Sequence, residues 1–102
     1  MAVLDYVLEE EMSRLQRFLL HLKEDHEKIP KGSVVIKRKS NRLYAYRVFR
    51  QGQRVITEYV GPAASPQAEK LGQLIDERRK LDAEIKTVEA SIARLQRMIH
   101  AG

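Results

Sequence analysis

From Leu71 to Ile99 one apolar stripe runs almost unbroken. Leu71, Leu74, Leu81, Ile85, Val88, Ile92, Leu95 and Ile99 recur in steps of three and four, and Arg78 fills the one polar place in the series. A strand cannot use this spacing, because its side chains alternate with a period of two. The stretch is therefore a helix with one face to bury. Ser65 is suited to cap it and Pro66 to open it. A serine hydroxyl accepts an orphan amide at a helix start, and proline lacks the amide that would go unpaired there. In heptad terms Leu71, Arg78, Ile85, Ile92 and Ile99 take the a positions, with Leu74, Leu81, Val88 and Leu95 at d. Mostly Ile at a with Leu or Val at d suits two-stranded packing. The spacing predicts a coiled-coil helix over 65–100.

A second stripe lies near the other end. Leu8, Met12, Leu15, Leu19, Leu22, His26 and Ile29 alternate steps of four and three, and Pro30 and Gly32 stop the pattern. Asp5, Glu9, Glu10 and Glu11 sit near its start, where the helix dipole favours acids. This predicts a helix over 1–29. Between the two stripes the period changes to two. SVVIKRK, RLYAYRVFR and QRVITEYVG are rich in β-branched and aromatic residues and are separated by Ser40-Asn41 and Gln51-Gly52. Short turns of this kind join antiparallel strands. The expected fold is α+β: a long helix, a three-stranded antiparallel β-meander over 32–61 and a long coiled-coil helix, in the order α-β-β-β-α. With 102 residues, this is one small domain spanning 1–102.

Strand periodicity sorts the meander into two faces. Two-residue turns would pair Lys39 with Arg42 and Arg50 with Gln53. One face then carries Val34, Ile36, Leu43, Ala45, Phe49, Ile56 and Val60, and belongs against the helices. The other carries Lys37, Lys39, Arg42, Tyr44, Tyr46, Arg50 and Tyr59, together with Val35, Val48, Val55 and Thr57. A three-residue second turn would turn the third strand over.

Charge is concentrated in the same segment. The chain as a whole has a net charge of +5, whereas residues 31–61 hold eight bases and a single acid, Glu58. Residues 1–30 are net acidic and residues 62–102 nearly balanced. A basic sheet face interleaved with tyrosines fits nucleic acid. Lysine and arginine contact phosphates, and the major groove is wide enough to admit strands. Tyrosines offer stacking area or hydroxyl contacts to phosphate. The candidate nucleic-acid-binding residues are Lys37, Lys39, Arg42, Tyr44, Tyr46, Arg50 and Tyr59, with DNA the favoured ligand. The plainer reading of the same residues is a solvated basic face with tyrosines as sheet packers.

Other chemistries find no residues. Without cysteine there is no disulfide, thiolate metal site or thiol nucleophile. His21 and His26 are five apart, off the four-residue spacing of a helical metal pair. Glu9-Glu10-Glu11 is a charged helical face, and no phosphate-cradling glycine loop is present. The expectation is no catalytic residue, no metal and no cofactor. No apolar run reaches the roughly 20 residues of a membrane span, and the acidic start does not resemble an export signal. A cytoplasmic protein with no membrane partner is expected.

The stretch GSVVIKRKSNRLYAYRVFRQGQRVITEYVG resembles a pattern found in small uncharacterised bacterial, archaeal and mobile-element proteins. In that pattern Gly-Ser opens a strand, a Tyr-x-Tyr-x-x-Phe/Tyr-Arg strand follows, and Tyr-hydrophobic-Gly closes the sheet before a Glu/Lys-rich helix. Here these are Gly32-Ser33, Tyr44, Tyr46, Phe49-Arg50 and Tyr59-Val60-Gly61, with Gly52 in the second turn. The stretch is also distantly similar to the three-stranded arm-type DNA-binding domains of integrases. The resemblance implies DNA contact, in an accessory or regulatory protein of a mobile element. It does not imply recombination, since the chain has no room for a catalytic domain.

The helical stripes have two readings. In one, the two helices pack on each other within the chain. In the other, Leu81, Ile85, Val88, Ile92, Leu95 and Ile99 form the seam of a homodimer that displays two basic sheets. A rival function from a different class also stands: an interaction adaptor or inhibitor whose coiled coil and basic sheet bind an acidic protein partner. A structural oligomer with no specific ligand is the third.

Overall fold

The computed structural model of the chain describes residues 3–101, in the order α1 (Val3–Glu27), β1 (Ser33–Lys39), β2 (Arg42–Gln51), β3 (Arg54–Pro62) and α2 (Pro66–Ala101). This is the α-β-β-β-α order that the change of period demands. Met1 and Ala2, expected in the first helix, lie outside the described residues. The helix also ends two residues earlier than expected, at Glu27, and the Lys28 amide bonds back to the Asp25 carbonyl at 3.2 Å. Pro30 explains the early stop, because its ring disfavours helical geometry at the residue before it. Among the described residues no helix is long and apolar enough to cross a membrane.

The chain divides into two compact units, and α2 contributes to both. One unit combines α1 with α2 from Lys80 onward. Here Met12, Leu22 and Val88 are buried, and most other stripe positions of both helices are half-buried. Lys23 Nζ lies 3.9 Å from Glu89 Oε2, and His26 Nε2 lies 2.7 Å from Asp82 Oδ1. The later residue of α1 meets the earlier residue of α2, so the helices run antiparallel. The Lys23–Glu89 pair is exposed and contributes less than about 1 kcal/mol. Removing the apolar stripes from water is the larger effect, at about 25 cal/mol per Å² of apolar surface buried.

The second unit, Ile29–Arg79, holds the sheet and the first turns of α2. Ser65 caps α2 as its position suggests: its Oγ accepts the Ala68 amide at 3.2 Å, and its carbonyl accepts the Glu69 amide at 3.1 Å. Arg78, the odd residue in the apolar series, is half-buried, and its guanidinium donates to the Ile29 carbonyl just beyond α1. The arginine thus satisfies a backbone acceptor where an aliphatic residue could not.

The strands form one antiparallel sheet in the order β1-β2-β3. Ser40 and Asn41 both have positive φ, 49° and 65°, as a two-residue type I′ turn requires, and Lys39 pairs with Arg42 as expected. The second turn is also two residues long, but it is Gly52-Gln53 rather than Gln51-Gly52. Gln51 therefore pairs with Arg54, and Arg50 with Val55 instead of Gln53. Gly52, with φ of 62°, takes the first central position, where a type II′ turn places glycine. The correction moves β3 by two residues along β2, an even number, so every side chain keeps its expected face. A bulge follows. Tyr46 opposes Tyr59 and Ala45 opposes Gly61, which leaves Val60 as the extra residue.

On the apolar face Ala45 is fully buried, and Val34, Phe49, Ile56 and Val60 are half-buried. Ile36 and Leu43 were expected to be covered like the rest, but they remain 48% and 46% exposed. They lie toward the Ser40-Asn41 turn, where the ribbon narrows, since the β2–β3 pairing ends at Tyr44. Gly32 sits at the other end of β1 with φ of 116°, a region that side-chain-bearing residues avoid. A Cβ there would collide with the Val48 carbonyl oxygen and lie 2.9 Å from Phe49 Cβ. Gly32→Ala is therefore expected to destabilise the fold by about 1–3 kcal/mol. Urea unfolding should show a lower midpoint with an unchanged slope.

Candidate nucleic-acid interface

The register brings all seven sequence-selected residues onto one face. Lys37 opposes Tyr44, Lys39 opposes Arg42, Tyr46 opposes Tyr59, and Arg50 lies farther along β2 on the same side. Side-chain contacts agree. The Tyr46 and Tyr59 rings meet nearly edge to face, with centroids 5.5 Å apart, and Tyr44 and Tyr59 are tilted at 6.1 Å. Lys37 Nζ lies 5.1 Å and Lys39 Nζ 5.8 Å from the centre of the Tyr46 ring. Both are within cation–π range.

The face is accessible. Lys37, Lys39, Arg42 and Arg50 are exposed, Tyr44 and Tyr46 half-buried, and Tyr59 58% exposed. Val55, opposite Arg50, is 60% exposed and adds an apolar spot that a search for basic and aromatic residues passes over. Its signal was the same alternation that selected its neighbours.

Bases lie on both faces: Lys37, Lys39, Arg42 and Arg50 on the candidate face, and Arg38, Arg47 and Arg54 on the reverse. Glu58, the one acid of residues 31–61, pairs with Arg47 and so belongs to the reverse face. Arg47 Nη1 lies 3.3 Å from Glu58 Oε2, its Nε donates to the Lys31 carbonyl at 2.9 Å, and its guanidinium lies 3.9 Å from the centre of the Phe49 ring. Arg47 is therefore engaged in the fold. The candidate face has four bases and no carboxylate of the sheet. Among the described residues none of those four bases is ion-paired.

The six seam residues lie elsewhere, in the helical unit. Val88 is buried, and Leu81, Ile85, Ile92, Leu95 and Ile99 are half-buried. Within the chain α1 is the antiparallel neighbour of this part of α2. Among the described residues no group of three or more His, Asp or Glu side chains is placed to hold a metal ion. Comparison of the chain with protein-family models, curated proteins and solved structures gives no match.

Like charges directly opposite one another across a strand pair are destabilising, and opposite charges stabilise by roughly 0.2–1 kcal/mol. Lys39 and Arg42 are such a like-charged pair. Arg42→Glu is expected to raise thermal stability slightly by pairing with Lys39, and a thermal unfolding curve checks it.

Proposed function

We propose that the protein is a non-catalytic nucleic-acid-binding protein, with DNA as the ligand, and that it binds through the basic face of its sheet. The observation that carries this reading is the cluster of exposed bases and tyrosines on one face. Four unpaired bases and three tyrosines share one face, and the segment's single acid is paired on the other.

The dimensions are suitable. Strands lie about 4.8 Å apart, so a three-stranded face is roughly 10 Å across, against about 12 Å for the major groove. The β1–β2 end of the face, with Lys37, Lys39 and Arg42, would contact phosphates on one side. Arg50 would contact them some 27 Å away along β2, at about 3.4 Å per residue. Phosphate contacts give affinity and orientation without base selectivity.

The homodimer reading belongs to the same proposal. Its seam is Leu81, Ile85, Val88, Ile92, Leu95 and Ile99, and a second copy packed there would display two basic faces and gain avidity. Sedimentation equilibrium tests this, and a monomer at high micromolar concentration would remove it.

Neutralising four phosphates gives a logarithmic salt slope of about −3.6, so affinity for duplex DNA should fall about a hundredfold between 50 and 200 mM salt. Changing Lys37, Lys39, Arg42 and Arg50 together to Ala should abolish binding while leaving the circular dichroism unchanged. Undetectable binding at low salt, or full binding by the fourfold variant, would sink the proposal. Tight binding to an acidic protein with none to DNA would favour the adaptor reading instead.

A further inference from the structure

The seven residues of the basic face are not equivalent, and the β1–β2 hairpin concentrates its charge. Lys37 and Lys39 are two apart on an edge strand, and their ammonium groups converge on the single ring of Tyr46. Arg42 stands directly across from Lys39. Three cations therefore share one corner, against a lone Arg50 opposite Val55 at the far end. Such a grouping is unfavourable in the free protein, because like charges at facing and neighbouring strand positions repel. A polyanion removes that repulsion, and a phosphodiester chain offers successive anionic groups to do so.

The rings divide as well. The Tyr46 ring is half-buried and lies within cation–π distance of two lysines, so cations rather than a base occupy it. Tyr59, on the other edge strand, keeps most of its surface open. Two lysines on flexible stems would otherwise sample many rotamers, and ordering each one costs free energy on binding. A ring that already holds them reduces that cost.

We infer that Lys37, Lys39 and Arg42 form a phosphodiester clamp, and that Tyr46 is a positioning residue which holds the two lysines toward the ligand and makes no stacking contact of its own. This rests on the nucleic-acid reading and goes beyond it by dividing the tyrosines into one that organises cations and one, Tyr59, left to lie against the ligand.

A double-mutant cycle on the full chain tests it, with a short mixed-sequence DNA duplex as the probe. Tyr46→Leu removes the ring's electrostatic attraction but keeps apolar bulk. It should weaken binding about two- to fivefold, the range of an exposed cation–π interaction, and Tyr46→Phe should restore wild-type affinity. In a Lys37→Ala, Lys39→Ala background, where the salt slope should have dropped by about 1.8, Tyr46→Leu should cost nothing further. An equal cost in both backgrounds would show that Tyr46 touches the ligand itself, and would overturn the inference while leaving the nucleic-acid reading intact. No duplex binding by the wild type would remove both. One measurement needs no variant. Ring-current shifts should move the ε-methylene protons of Lys37 and Lys39 upfield in the free protein, and unshifted resonances would also overturn the inference.

Discussion

The register of β2 between its two neighbours is the constraint on which the rest depends. It is the one strand paired on both sides, and side chains alternate across it with a period of two, so a one-residue slip on either side would exchange the faces of a whole edge strand. Both connections protect against that slip. Ser40-Asn41 and Gly52-Gln53 are two-residue turns whose backbone twist matches that of the strands. A slip of β3 would place Glu58 among the lysines and tyrosines and carry Tyr59 to the reverse. The bulge at Val60 comes after Tyr59, so the irregularity that prepares the approach to α2 leaves the aromatic cluster in register.

The approach to α2 is itself a backbone constraint. Gly61 is buried where β3 gives way to the cap of the helix, and a Cβ on it would lie 3.0 Å from the Ser65 hydroxyl oxygen. Glycine lets the end of the sheet come close to the residue that caps the helix. The capping bond and the last strand pairing are thus separated by only a few residues.

Most of this was legible in the sequence because periodicity reports burial. The switch from steps of three and four to alternation, and back, located every element to within two or three residues. The face of each candidate residue followed from the parity of its position. The placement of the second turn was not legible, because Gln51-Gly52 and Gly52-Gln53 are both two-residue choices and only the preference for glycine at a positive φ in first place decides between them. The bulge left no pattern, since a single extra residue at a strand end changes no period. Exposure of Ile36 and Leu43 was missed because alternation assigns a face but not the extent of its cover. Arg47 illustrates the reverse limit. It counted among the eight bases of the segment, yet its partners Glu58 and the Lys31 carbonyl come from two other stretches of chain that only the sheet assembles.

Arg47 and the Lys37–Lys39–Arg42 corner show two ways for a small sheet to carry positive charge. On the reverse face the guanidinium is half-buried and its directions are filled by a carboxylate, a carbonyl and a ring, so its charge is balanced locally and contributes to the fold. At the corner the charges are exposed, and a ring holds two of them without neutralising either. The corner lies at the narrow end of the ribbon, where Ile36 and Leu43 are already half exposed and little buried surface depends on precise packing. Repulsion there costs little in stability, whereas the same charges over Ala45 would have to be desolvated. The corner's unbalanced charge is therefore placed where the fold can tolerate it.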